Sequence, residues 1–440
     1  MHILGLNSNE INSSCAIVKN GKLVYGSPEE RFSREKLTKS FPLYAINYYL
    51  DKNNLKIEDI DFIGQSWNPS AYFKKYNPIK SKSRISREDY FYTIPDNLLN
   101  VRGKHERNIG NNVLMNFDIK NFPKLYFIQH HDCHAANSFY LSNFSKAAIL
   151  ISDFKGEFES TSFHLGTGRK IKKLKSFLMP NSLGMFYSTI TDFLGYKPDQ
   201  DEWKVMALSA IKAKDKTYEK KFKNLYKLCP NGEVKFNSEF FRGTDLASPR
   251  LFSNQLINLL GKKNFYKKLK YSDWHISVAC ALQKSAEEIA THFLRELYKI
   301  TKVKKLCVGG GFFMNSVYNG KIIENTPFQE LYIPFAPTDS GNSIGAAMYI
   351  NHHLKNKVRV KQTFLSQIGP DYSDKNIVET IKARNLKFRK SKNIAIDVAK
   401  MILHHGFIGY FEGKSEFGDR ALGNRSILGD PRFLNIKDKI

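Results

Sequence analysis

Apolar and polar positions alternate along HILGLN at the start of the chain and again along SSCAIVKNGKLVYGSPEE, where Asn20-Gly21 interrupts the pattern. Successive side chains of a strand point to opposite faces, and an Asn-Gly pair accepts the left-handed backbone of a two-residue hairpin. These segments therefore predict a strand followed by a hairpin. The plan returns downstream: KAAILISDF reads as a strand, GEFE as a glycine-containing turn, and STSFHLGTGRKIKKLKSF as a second hairpin. Between Trp274 and Thr301 the period changes. Ile276, Ala279, Ala281, Leu282, Ala286, Ile289 and Phe293 fall near one face of a 3.6-residue repeat, which predicts a long amphipathic helix. KKLCVGGGFFMNSVYNGKI then reads as strand, triple glycine and helix, and GNSIGAAMYINHHL as a helix rich in small residues.

A strand, a polar or glycine-lined turn and a hairpin, occurring twice, predict an α/β protein built on a duplicated ribonuclease-H-like unit. In such a duplication the two first turns face each other across a nucleotide cleft. The 440 residues exceed what one core usually organises, so more than one unit is expected. A Lys-rich polar stretch near Asn351 to Lys361 marks a boundary, with a main domain over 1–355 and a second unit over 360–440. That second stretch is short for a large domain and ends inside what reads as a helix. The polar, aromatic and proline-punctuated section from Trp67 to Phe122 reads as an insertion or lid.

With 42% apolar and 13% aromatic residues, the capacity to bury a core is not limiting. The chain has no run of about 18 apolar residues and no basic-then-apolar start, so a cytoplasmic location without membrane insertion is expected. Cys15, Cys133, Cys229, Cys280 and Cys307 are dispersed and read as reduced thiols. A net charge of +26 raises the question of a nucleic-acid partner. The clusters Lys170 to Lys175, Lys262 to Lys270 and Lys74 to Arg87 lack regularly interleaved aromatics, apart from Tyr266. They read as solvated surface, and nucleic acid is not the expected partner.

The densest chemistry is QHHDCHAANSFYL. On a helix, His130 and His134 share a face at spacing i, i+4, and Asp153 follows at the end of the next apolar run, which outlines a metal site. His131 points about 100° away and reads as a neighbour. The pairs His352-His353 and His404-His405 show that clustering alone decides little. Gly309, Gly310 and Gly311 after a strand allow a ligand to approach the backbone, and Asn315 one turn into the following helix is a candidate sugar or base contact. Asp339, in a Pro/Ser/Gly turn before a helix, reads either as an N-cap or as a ligand. The turn Asp153-Phe154-Lys155-Gly156-Glu157 occupies the place that holds phosphate or metal in duplicated cleft folds.

Taken in order, GLNSNEINSSCAIVKNGKLVYGSPEERFSREK, HHDCHAANSFY, SDFKGE, SLGMFYSTITDFLGY, GGGFFMNS, APTDSG and EFGDRALGNRSILGDPR resemble the blocks of the O-carbamoyltransferases of natural-product biosynthesis, including those of nodulation factors and aminoglycoside antibiotics. The resemblance implies an actin-like, two-lobed domain followed by a YrdC-like domain, here only its start. It implies that carbamoyl phosphate yields carbamate, that ATP converts carbamate to carbamoyl-adenylate, and that a hydroxyl of a small molecule or glycan takes the carbamoyl group. By motif position the metal ligands fall on His130, His134, Asp153 and Asp339. That donor set suits iron(II), with manganese or magnesium as alternatives. Nucleotide contacts fall on Gly156, Glu157, Lys204 and Gly309 to Asn315, with Asp153 and Lys204 in catalytic roles. Arg420 and Arg425 fall in the carbamoyl-phosphate block, where guanidinium forks suit phosphate.

The chain departs from the pattern in places. Ile11-Asn12-Ser13-Ser14-Cys15 stands where the family carries a histidine base. Phe154 replaces a glycine, and Trp203-Lys204-Val205-Met206-Ala207-Leu208-Ser209-Ala210-Ile211 keeps the lysine while losing glycines and a proline. Leu37 replaces a histidine and Asp419 a proline. A second polypeptide supplying the rest of the YrdC-like domain is one expectation. Two alternatives stay open: a pseudoenzyme acting as a binding partner, and a relative of the enzymes that make threonylcarbamoyladenosine in tRNA.

Overall fold

The computed structural model describes residues 1–8, 11–68, 123–242, 250–261, 271–362 and 366–440. Most of the expected insertion and the basic clusters around Lys74 and Lys262 lie outside the described residues.

Strands β1 (His2–Asn7), β2 (Ser14–Lys19) and β3 (Lys22–Pro28) form an antiparallel meander. Its turn is the expected one: Asn20 and Gly21 take φ of 51° and 82°. After the short α1 (Glu30–Ser33) and α2 (Leu43–Lys52), β4 (Phe62–Gln65) pairs parallel to β1, and β5 (Lys124–Phe127) parallel to β4. Helix α3 (His130–Leu141) leads into the second sheet. There β6 (Lys146–Ser152), β7 (Glu159–Thr167) and β8 (Lys170–Leu178) repeat the meander. Next come α4 (Leu183–Phe193), α5 (Glu202–Leu208), a small hairpin of β9 (Tyr226–Leu228) and β10 (Val234–Phe236), and α6 (Asp273–Thr301). Then β11 (Lys305–Gly309) pairs parallel to β6 and β12 (Glu330–Tyr332) parallel to β11.

The five-stranded sheets therefore share one order, β3-β2-β1-β4-β5 and β8-β7-β6-β11-β12, and the duplication expected from the sequence is present. Long α6 starts one residue before the expected Trp274 and packs Leu282, Ile289 and Phe293, each at most 1% exposed, into the core beside the second sheet. Each such side chain contributes roughly 1.5–3 kcal/mol by leaving water.

Between the sheets lie α3 and the small-residue helix α7 (Asn342–Met348), which buries every residue. Small residues let the two helices meet backbone to backbone: a Cβ on Gly345 would stand 1.9 Å from the Cys133 carbonyl oxygen. On the other side, the Ser343 carbonyl oxygen sits where a Cβ on Gly5 of β1 would be.

The stretch read as a boundary is strapped to the main domain. Arg359 donates to the carbonyls of Phe139 and Phe144, and Gln362 donates to Gly21 O and accepts from Leu23 N–H. Beyond it, α8 (Asp374–Ala383), α9 (Ile394–His405) and the hairpin β13 (Phe407–Phe411) and β14 (Arg425–Gly429) complete the described elements save a last short helix. Neither α8 nor α9 has a buried residue, whereas Phe417 is fully buried in the core between the sheets.

Candidate metal centre

Gln129 ends an extended segment, and α3 begins at His130, so the first turn of the helix lies where strand β5 delivers it. The helix repeat sets the Nε2 atoms of His130 and His134 at 3.1 Å from each other. Asp153, the residue after β6, brings Oδ2 to 3.3 Å from His130 Nε2 and 3.0 Å from His134 Nε2. Asp339 brings Oδ1 to 3.3 and 3.4 Å from the same two atoms. One donor atom from each of the four lies within 4.8 Å of all the others. The histidines are 1% and 0% exposed and Asp153 is 8%, so the group is largely withdrawn from water.

Asp339 had two readings. Thr338 holds the N-cap position of the turn, and Asp339 directs its carboxylate at the histidines. His131 faces the opposite way and contacts Ser162 Oγ at 2.7 Å, which in turn meets His164 Nε2 at 2.8 Å. Burial pushes the His131 imidazole well below its ordinary pKa. For His130 burial acts in the same sense, but Asp339 and Asp153 outweigh it and hold the ring well above the usual value. Burial pushes the Asp153 carboxyl up, while hydrogen bonds from His130 and His134 prevail and hold it well below the carboxylate range. Positive charge is thus strongly favoured at the point where the four side chains meet.

The donors fit a divalent cation. Two imidazoles and two carboxylates offer four ligand atoms, and the buried Asn342 Oδ1 beside them has no hydrogen-bond partner among the described residues. Asn342 contributes something the sequence did not signal. Its Nδ2 lies 3.1 Å from His134 Nε2 and 3.4 Å from His130 Nε2, and Asn342 is fully buried. Because the two ends of an amide differ little in shape, a half-turn of the side chain presents oxygen there instead. A neutral amide in a run of small residues carries no periodic or motif signal.

The glycine-rich segments support this cluster from outside. Gly311 N–H donates to Asp153 Oδ1 at 3.2 Å and Phe154 N–H to the same atom at 2.8 Å. Gly310 takes φ of 93°, and a Cβ there would meet Ser152 O at 2.2 Å, so only glycine lets the loop lie against the Asp153 turn. Gly309 lies against His134 in the same way, and Gly156 against the His131 ring. Glu157 accepts the N–H of His130 at 3.0 Å and of Asn68 at 2.8 Å, which places a carboxylate at the start of α3.

Other expected residues lie elsewhere. Asn315 is not one turn into a helix but caps a short one at Ser316–Asn319, accepting from Tyr318 N–H. Its side chain also exchanges hydrogen bonds with Gln283. The difference arises because Gly309 ends β11 and Gly311–Met314 form a short 3-10 turn, so the helix begins only at Ser316. Lys204 pairs with Asp201 at 2.7 Å on α5, outside the four-residue group. Arg420 donates to Met314 O at 3.2 Å beside the glycine turn, and Arg425 begins β14 and lines a separate cavity.

Comparison with known proteins gives a consistent picture. The family model described as Carbamoyltransferase N-terminus matches residues 2–348, and that described as Carbamoyltransferase C-terminus matches residues 399–440. Nodulation protein NolNO of Sinorhizobium fredii is 28% identical over 98% of this chain and 60% of its own length. Nodulation protein NolO of Bradyrhizobium diazoefficiens is 32% identical over 71% of this chain and 55% of its own. The chain thus spans little more than half the length of these two relatives. Among solved structures, T. kodakarensis HypF aligns at 12% identity with a TM-score of 0.43, over 82% of this chain and 48% of that one.

Proposed function

The chain belongs to the carbamoyltransferase family, and from that premise we propose that it carries the group-transfer part of an ATP-using O-carbamoyltransferase. In this reading carbamoyl phosphate and water give carbamate and phosphate, in a YrdC-like unit of which 360–440 is a part. Carbamate oxygen attacks the α-phosphorus of ATP and pyrophosphate leaves. A hydroxyl of a metabolite or glycan then attacks the carbamoyl carbon of the adenylate, AMP leaves, and the hydroxyl proton passes to water.

The observation that carries the reading is the convergence of His130, His134, Asp153 and Asp339 at the ends of two sheets of one topology. These four would hold iron(II), or manganese or magnesium. When bound, the ion offsets the negative charge of the nucleotide phosphates as bonds to phosphorus rearrange. The residues themselves bind and orient: Asp153 is fixed by two backbone N–H groups, and α3 by the Glu157 carboxylate. Gly156 and Gly309 to Gly311 let their backbone lie against the Asp153 turn and its histidines, and Arg420 reaches Met314 O, just after the glycines, from the second unit. Lys204 would reach phosphate only by leaving Asp201.

Phe154 does not stand against this reading, because it packs against the hydrophobic core beside the second sheet. The exposed apolar residues Ile394, Ile396, Met401 and Leu403 of α9 fit coverage by further polypeptide, the second partner in the proposal. Calorimetric titration with ATP and with iron(II) tests the function. Binding of both supports the reading, and binding of neither leaves a scaffold protein that has kept only the fold.

A further inference from the structure

Behind the four-residue cluster runs a buried polar chain that the reaction above leaves unused. Ser162 and His164 stand two apart on β7, so both project from one face of the strand, here toward α3. His131 Nδ1 meets Ser162 Oγ at 2.7 Å, and the same oxygen meets His164 Nε2 at 2.8 Å. Asp132 Oδ1 lies 3.8 Å from His164 Nδ1, and Glu159 Oε2 lies 3.7 Å from His131 Nδ1. Lys173 bridges the two carboxylates, 3.6 Å from Asp132 and 2.8 Å from Glu159.

His131, Ser162 and His164 are fully buried. Burial disfavours a charged imidazole, so each ring keeps a single proton, and the neighbours decide which nitrogen holds it. A serine hydroxyl has one hydrogen to donate. Ser162 therefore donates to one ring and accepts from the other, which leaves two proton orders for the whole chain. In the first, both Nδ1 atoms are bare and face the Glu159 and Asp132 carboxylates. In the second, both Nδ1 atoms carry hydrogen: His131 donates to Ser162, Ser162 donates to His164 Nε2, and His164 turns its N–H toward Asp132. Two carboxylates against one ammonium leave net negative charge beside the Nδ1 atoms, and that charge selects the second order.

The selected order leaves His131 Nε2 as a lone pair, and that buried atom has no hydrogen-bond partner among the described residues. Its edge of the ring lies against the Asp153 turn, since a Cβ on Gly156 would stand 2.9 Å from His131 Cδ2 and 3.3 Å from Nε2. The ring centre is 6.1 Å from that of His130 and 6.4 Å from that of His134. A bare nitrogen is the negative end of the imidazole dipole, and oriented side-chain dipoles add to the field at a bound ion.

We propose that Ser162 and His164 are positioning residues of the cation site: they fix His131 in the tautomer whose bare Nε2 faces the Asp153 turn, adding negative potential where His130, His134, Asp153 and Asp339 meet. This role rests on the reading of those four side chains as cation ligands; the tautomer itself does not.

Ring-nitrogen NMR of the native protein with isotope-labelled histidine reads the tautomers, and titration with iron(II) and manganese(II) reads the role in Ser162→Ala, Ser162→Thr, His164→Gln and His164→Phe. His131 and His164 are expected to be neutral and protonated at Nδ1. Ser162→Ala and His164→Phe are expected to weaken the cation about tenfold, at the low end for groups that act from behind metal ligands. Ser162→Thr keeps the hydroxyl and His164→Gln keeps an acceptor, so both are expected to stay near native affinity. A role in packing alone reverses that ranking, because Phe conserves the ring volume and Thr adds a methyl group; the reversed ranking overturns the proposal. A proton on His131 Nε2 in the native protein overturns it whether or not the variants fold. Native affinity in Ser162→Ala also overturns it and leaves the four ligands standing. Failure of the native protein to bind either cation, with the expected tautomers present, removes the cation reading and the positioning role together.

Discussion

His130 Nε2 and His134 Nε2 approach to 3.1 Å while both face the single oxygen Oδ2 of Asp153. Two imidazoles at that distance are comfortable only with a proton or a cation between them, and two carboxylates make the cation the stronger solution. Replacing both rings, His130→Ala with His134→Ala, is expected to abolish bound metal as read by elemental analysis of the purified protein. Full retention of metal refutes the ligand assignment.

Asn342 touches both histidines from the first turn of α7. Groups that orient ligands typically change metal affinity by about 10–100-fold when removed. Asn342→Ala is expected to weaken iron(II) or manganese binding by about that factor in a direct titration. Equal affinity would show that the amide plays no part in holding the ion.

Gly345 sets the spacing between the helix that bears the histidines and the helix that follows Asp339, since a Cβ there would stand 1.9 Å from Cys133 O. Gly345→Ala forces the two helices apart. Overpacking of this kind costs about 1–3 kcal/mol, visible in denaturant unfolding. Metal occupancy should fall in the same variant, because Asp339 moves with its helix; loss of stability with full occupancy would place the strain elsewhere.

Glu29 is a buried carboxylate that accepts the N–H groups of Tyr44 and Ala45, and burial raises it to about 7. The folded protein therefore holds this proton more tightly than the unfolded chain. Its contribution to stability is complete below the unfolded value near 4.5 and disappears as pH rises through about 7. The difference in unfolding free energy between the native protein and Glu29→Gln should shift by up to about 3 kcal/mol between pH 4.5 and pH 8, with the native protein losing ground. Parallel pH profiles for the two proteins would contradict the assignment.

Ile11 stands where the resemblance to carbamoyltransferases implies a histidine, and its carbonyl oxygen accepts from Asn7 Nδ2 at 3.2 Å, so the backbone there is fixed. If removal of the acceptor proton limits transfer, Ile11→His raises the rate of carbamoyl transfer. No increase would indicate that the acceptor's own groups assist the departure of the proton.

The local elements were legible because their signals are local. Alternation defined β1 to β3 and β6 to β8, Asn20-Gly21 defined a turn, and the helical repeat defined α6 to within one residue. Spacing i, i+4 also suffices to pair His130 with His134. Asp153 was legible as the carboxylate ending the next apolar run, the resemblance to carbamoyltransferases added Asp339, and the fold brings both to that pair. Asn315 caps a helix and does not stand one turn into it, because Gly309 ends β11 and a 3-10 turn over Gly311–Met314 comes between strand and helix.

What remained was decided by packing between segments distant along the chain. The sequence by itself determined two copies of one strand plan, a long amphipathic helix and a histidine pair, since each arises from side-chain periodicity within a few turns or strands. The tertiary structure alone decided that Asn342 meets those histidines, that the glycine turn supports Asp153, and that Phe417 and Gly418 dock on the first unit so that Arg425 joins Arg31. Such contacts depend on close backbone approach at Gly5, Gly310 and Gly345, and a residue without a side chain leaves no pattern that reveals what lies against it.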